Sequence, residues 1–141
     1  MSAATTELIA RAVIGCAGGL LVARERGKSY AFLPGDHVKP GEPIEDALVR
    51  ELKEEIGASA SIGQLIGVVE QGYTDDTDTI RHELNLIFTA QITGEPVSQE
   101  DHLEFLWLPL DQLPVADLRP CALKDALVAN HANTFCRRWN R

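Results

Sequence analysis

Apolar positions recur at a spacing of two through most of this chain, and at a spacing of four in one stretch. Residues 9–21 are apolar and rich in small and β-branched side chains, which predicts a first strand with Gly18 and Gly19 marking a bulge or close packing. Residues 20–24 continue as strand, and residues 25–28 read as a hairpin turn around Gly27. A short strand over 30–33 runs into a loop over 34–41. Residues 61–73 and 81–92 read as two long strands separated by a polar turn, with Leu84, Leu86 and Phe88 on one face of the second. A loop over 94–101, a strand over 103–108, one helical turn over 111–113 and a terminal helix over 119–137 complete the pattern. That helix would turn Leu123, Ala126, Leu127 and Asn130 inwards. Strands around one early helix, with a closing helix, predict an α+β fold in which helices cover both faces of a mixed sheet.

The early helix, over 43–56, has clear punctuation. Pro43 suits the first helical position, Glu45 and Asp46 favour the positive end of the helix dipole, and Gly57 can supply the left-handed residue that ends it. An α-helix turns about 100° per residue, so with Glu51 at zero, Glu55 falls about 40° to one side and Glu54 about 60° to the other. Ile44, Leu48, Leu52 and Ile56 form a stripe from roughly 20° to 140° on the same wheel. Glu55 therefore projects among apolar side chains, Glu51 lies at their edge, and Asp46, Arg50 and Lys53 point to solvent. Carboxylates on a packing face are costly unless paired or metal-bound. Arg50 can pair with Glu54 four residues on, but it cannot neutralise all three acids. A divalent cation can, and hard cations such as Mg2+ take carboxylate, water and phosphate oxygens. The competing reading is an ordinary charged surface helix.

The chain has 141 residues, enough for one domain over 1–141 with a real core. A net charge of -8 argues against a nucleic-acid polymer as partner, because backbone binding needs clustered Lys and Arg. A small anionic substrate stays compatible, since a bound metal inverts the local sign. Cys16, Cys121 and Cys136 match no metal knuckle, and we read them as reduced, mostly buried thiols of a cytoplasmic protein. The first residues do not resemble a signal peptide, and no apolar run reaches the ~20 residues a membrane span needs.

Glu42, Arg50-Glu51-Leu52 and Glu54-Glu55-Ile56-Gly57 resemble the signature of the Nudix hydrolases, with the required gap between Glu42 and Arg50. The match runs over 35–58. Asp36 stands where the signature has its glycine, Gly35 precedes it, Lys39 stands where many members carry glutamate, and Ala58 holds the last apolar place. The resemblance implies a Nudix-type α/β/α sandwich and hydrolysis of a nucleoside diphosphate linked to another group, with Mg2+ or Mn2+. It implies Glu51, Glu54 and Glu55 as metal ligands, the Gly35 carbonyl as a further one, and Arg50 paired with Glu42 to brace the loop. It also implies a distant glutamate from a later loop, for which Glu100 is our choice and Glu83 and Glu104 are rivals. Homodimers are common in the family. A nucleotide-sensing module without turnover is the alternative, and isomerase chemistry on the same fold finds no suitably placed cysteine.

Several other residues have a functional and a plain reading. Asp75, Asp76 and Asp78 form either a second metal site or specificity lid, or a solvated turn, and we favour the turn. Tyr73 and Phe32 could stack on a base, but aromatics at strand ends usually belong to the core. Arg24, Arg26 and Arg81 read as surface charges. His37 and His82 lie near enough to the expected site to touch substrate, whereas His102 and His131 read as structural.

Overall fold

The structure, a computed structural model, describes residues 4–130 and 135–137. In chain order the strands and helices are β1 (Ala4–Val13), β2 (Gly15–Cys16), β3 (Gly19–Glu25), β4 (Gly35–His37), α1 (Ile44–Ile56), β5 (Ala60–Thr74), β6 (Ile80–Ile92) and β7 (Leu103–Pro109). A 3-10 helix (Leu110–Val115), α2 (Cys121–Asn130) and β8 (Phe135–Arg137) follow. Five strands form a mixed sheet in the order β4-β1-β6-β5-β8, in which β1 runs parallel to β6 and β5 parallel to β8. A second, antiparallel sheet has the order β2-β3-β7. The α+β sandwich is as the pattern predicts, but the strands divide between two sheets.

The division starts at Ala17 and Gly18. Both have positive φ, 48° and 81°, which is the turn that joins two strands through a two-residue loop. The apolar run over 9–21 is therefore the end of β1 followed by the β2–β3 hairpin, not one strand with a bulge. Positive φ is unfavourable for alanine, so the sequence gives little hint of this turn. Residues 30–33 make only isolated bridges, Ala23 with Phe32 and Ala31 with Leu118. The loop predicted over 34–41 contains the short strand β4, which pairs with β1.

Helix α1 matches its predicted extent. Pro43 is its N-cap, with extended backbone, and Gly57 ends it at φ 66° while its N–H donates to the Lys53 carbonyl. Leu48, Leu52 and Ile56 are buried against Ala10, Ala12, Phe88 and Ala90. Each such leucine or isoleucine stabilises the fold by roughly 1.5–3 kcal/mol. On the sheet's other face Leu123, Ala126 and Leu127 of α2 pack with Val69, Ile87, Leu113 and Leu118.

Two readings need correction. The described part of the terminal helix is Cys121–Asn130, and Phe135–Arg137, predicted as its continuation, pairs with β5 as strand. The side chain of Asn130, and His131 entirely, lie outside the described residues. Cys16 and Cys121 are exposed, not buried, because one sits at a hairpin edge and the other at the first turn of α2. The side chain of Cys136 is outside the described residues.

Candidate active site

Strands β1, β4 and β6 and helix α1 converge on a cleft of about 420 Å³ between the two sheets. Its lining includes Arg11, Gly35, Asp36, Glu55, Glu83 and Glu100. The parity of each strand sets this. Ala10 and Ala12 face α1, so Arg11 faces the cleft. Leu86 and Phe88 pack toward α1, so Glu83 and Asn85 face the cleft.

Glu55 is the deepest of the acidic trio. It is only 4% exposed, and its Oε2 accepts the Gly35 N–H at 3.0 Å. Burial pushes its carboxyl up to about 8, and the Gly35 N–H and nearby Arg11 offset only part of that. Glu51 Oε1 accepts from Arg50 Nη1 at 2.8 Å, and burial raises its carboxyl too. Glu54, with its side chain 53% exposed, meets the same Nη1 at 3.3 Å. The three acids occupy one helical surface, as predicted, but at three depths.

Arg50 does not point to solvent. Its Nε and Nη2 grip both oxygens of Glu42 at 2.8 and 2.9 Å, and Nη2 reaches the His37 carbonyl at 3.3 Å. A bidentate pair of this kind fixes direction as well as distance. Hydrogen bonding from Arg50 holds the Glu42 carboxyl down at about 2. The brace between loop and helix is present, and one guanidinium serves Glu42, Glu51 and Glu54 together.

Gly35 has φ 120°, and a Cβ there would overlap the Ala10 carbonyl oxygen. Asp36 has no positive φ, so the missing signature glycine leaves no backbone strain at that place. The Gly35 carbonyl, expected as a metal ligand, accepts from Arg11 Nη1 at 2.6 Å. A carbonyl has two lone pairs, so one remains.

Of the three candidates for the distant acid, two line the cleft and one does not. Glu104 is held by Arg24 at 2.6 Å and by Arg26 at 3.6 Å. Glu100 and Glu83 both line the cleft. The Glu100 loop is strapped to the end of α1: the Gln99 N–H donates to the Glu55 carbonyl at 2.8 Å and the Val97 N–H to the Ile56 carbonyl at 3.1 Å. His102 stands 3.4 Å from Glu100.

The remaining candidates mostly take their plain readings. Asp75 accepts from the Thr77 and Thr79 N–H groups and from Arg81, so it builds its turn. His82 pairs with Glu70 at 2.6 Å. Tyr73 is exposed rather than core, and Phe32 lines the cleft with Arg11 stacked 5.6 Å from its ring. Sequence reasoning missed Arg11, Asn85, Tyr30 and Arg119. A charge inside an apolar strand was the one available signal for Arg11.

The donor set suits a hard divalent cation. Glu51, Glu54 and Glu55 each keep one carboxylate oxygen without a hydrogen bond among the described residues. A nearly buried carboxylate beside two further acids is stabilised by such an ion. Among the described residues, no helix is long and apolar enough to cross a membrane.

Comparison with known proteins agrees with this architecture. The chain is 34% identical over 98 residues to an ADP-ribose pyrophosphatase of Methanocaldococcus jannaschii, covering 67% of this chain and 56% of that protein. It is 31% identical over 86 residues to the oxidized purine nucleoside triphosphate hydrolase of Mus musculus, covering 61% and 53%. The chain thus spans about half the length of these curated relatives. The solved structure of the mutator MutT protein from Bacillus halodurans superimposes with a TM-score of 0.77 at 16% identity, covering 95% and 90%, a likeness of fold. The NUDIX domain model matches residues 8–129, from the middle of β1 to the end of α2, and on that extent the chain belongs to the NUDIX domain family.

Proposed function

We propose that this chain hydrolyses a diphosphate linkage in a nucleoside diphosphate derivative, with Mg2+ or Mn2+ held by Glu51, Glu54 and Glu55. Glu100 and the second lone pair of the Gly35 carbonyl complete the proposed set. The observation that carries the reading is Glu55: a carboxylate held by one N–H at the wall of a cleft, with Oε1 left free. A family that uses divalent ions, and relatives whose names specify ADP-ribose and oxidized purine nucleotides, point the same way.

A bound divalent ion would polarise the phosphoryl oxygens and lower the pKa of a coordinated water. The chain's own groups do the rest. The Glu42–Arg50 brace fixes the helix against the loop, so the acids keep their spacing. The Gly35 N–H holds Glu55 Oε2 and turns Oε1 to the cleft. Arg11 and Arg119, both in the cleft lining, supply positive charge to the substrate's phosphates.

The test is a panel of nucleoside di- and triphosphates, nucleotide sugars and dinucleotides with Mg2+. Monophosphate release that is lost in Glu55→Gln supports the proposal; turnover indifferent to that substitution removes Glu55 from it. One observation favours a second reading, a nucleotide sensor: Arg11 already fills one lone pair of Gly35. Saturable nucleotide binding with no turnover under either metal would establish that reading instead. We extend the proposal to a cytoplasmic homodimer, which sedimentation would check.

A further inference from the structure

We propose that Glu7, His37 and Glu83 form a second divalent-metal site, suited to a transition ion such as Zn2+ or Mn2+, in which Asp36 orients the imidazole. These residues lie on β1, β4 and β6, apart from the glutamates of α1. The parallel register sets Glu7 opposite Glu83, and the antiparallel register sets His37 opposite Ile9. One ligand atom from each of the three lies within 4.8 Å of the others.

The hydrogen bonds set the state of the ring. Asp36 Oδ1 lies 2.6 Å from His37 Nδ1, and a carboxylate only accepts, so Nδ1 carries the proton. Nε2 faces Glu7 Oε2 at 3.0 Å, a contact bridged either by a second ring proton or by a cation. Two acceptors at that distance repel unless a proton or a cation lies between them. A carboxylate that fixes one ring nitrogen while the other faces an acidic cluster is the usual surrounding of a metal-bound histidine. Arg81 holds Glu7 by the other oxygen, Oε1, at 3.2 Å, and leaves Oε2 available.

Glu83 is the independent sign. It is 9% exposed, and among the described residues its side chain makes no hydrogen bond or ion pair. The stem of the side chain is covered while the carboxylate opens to the cleft, with Arg11 and His37 the positive groups that act on it. Its oxygen is one of the three ligand atoms that converge here. One imidazole with two carboxylates suits borderline ions better than Mg2+, which prefers an all-oxygen shell. Asp36, the residue that replaces the signature glycine, thereby gains a task. The inference does not rest on the hydrolase reading, since none of its ligands lies on α1.

The experiment is a Zn2+ titration of the full chain by calorimetry, with metal content counted by mass spectrometry. The background is Glu51→Gln/Glu54→Gln/Glu55→Gln, which removes the α1 acids. We expect one Zn2+ per chain to remain there, to disappear on adding His37→Ala or Glu83→Gln, and to weaken about 10- to 100-fold on adding Asp36→Asn. No uptake by the folded background variant, or uptake that survives His37→Ala, overturns the proposal. Should the multiple variant not fold, nitrogen NMR of the wild-type imidazoles decides. A shift of His37 Nε2 as Zn2+ is raised past two equivalents supports the site, and a His37 unchanged at saturating Zn2+ overturns it.

Discussion

The backbone N–H of Gly35 donates to Glu55 Oε2 at 3.0 Å, while the carbonyl of the same residue accepts from Arg11 at 2.6 Å. A single glycine thus ties the helix acid to a cation on the neighbouring strand. Its φ of 120° is what lets both peptide groups face inward.

Gly35→Ala should therefore destabilise the chain by about 1–3 kcal/mol, from strained φ together with overlap against Ala10. Gly41→Ala is the control. Its φ of 79° is also positive, though nearer the left-handed helical region, and a Cβ there meets nothing within 4 Å. Urea unfolding of the two variants should rank Gly35→Ala clearly lower. Equal midpoints would mean that the overlap relaxes without cost.

The raised Glu55 carboxyl fixes a pH dependence for the metal-free protein. The group stays protonated in the folded chain up to about 8, whereas an ordinary glutamate ionises near 4.5. Between those values the unfolded chain releases a proton that the folded chain keeps, so stability falls as pH rises through the window. The melting temperature of wild type relative to Glu55→Gln should drop from about pH 4.5 to 8 and level off above. Saturating Mg2+ should flatten the curve. A difference that stays constant with pH would refute the buried, strained carboxyl.

Arg50 and Glu42 should behave as one unit. Arg50→Lys keeps the charge but loses the two-pronged grip on Glu42. Misplacing the acids by about an ångström can cost about 100-fold in turnover. We expect losses of that order in Arg50→Lys and in Glu42→Gln, with the double variant little worse than either. Steady-state kinetics on the four forms checks this, and additive losses would show that the pair does not act together.

The later acids can be ranked by substitution. Glu100→Gln should lower kcat by about 100-fold or more, in the range lost with an acid–base or ligand group. Glu104→Gln should leave kcat within about twofold, because Glu104 is spent on Arg24 and Arg26. If Glu104→Gln proved the more damaging, the assignment of the distant acid would be reversed.

Helix α1 was legible from the chain because its information is local. The spacing of Ile44, Leu48, Leu52 and Ile56 sets the buried face, and Gly57 sets the end. The inward turn of Arg50 was legible only through the signature's Glu42–Arg50 pair, because helical angle alone sends it to solvent while Glu42 draws it back across the loop. Strand parity reveals which residues share a face, yet not what lies beyond that face. Arg11, Glu83 and Asn85 meet only because β1 pairs in parallel with β6, more than 70 positions later, and no short-range pattern encodes that pairing. Ala17 hid a hairpin by adopting a conformation its residue type seldom takes.

The two amide links from Val97 and Gln99 to the end of α1 divide the connection between β6 and β7 into unequal halves. Residues 93–96 lie outward of the anchor, so extra residues after Gly94 should lengthen the rim while the Glu100 carboxylate keeps its station. An insertion after Gln99 would instead detach that acid from the helix. Relatives that gained new substrates by lengthening this connection would have had one half of it open to change and the other closed.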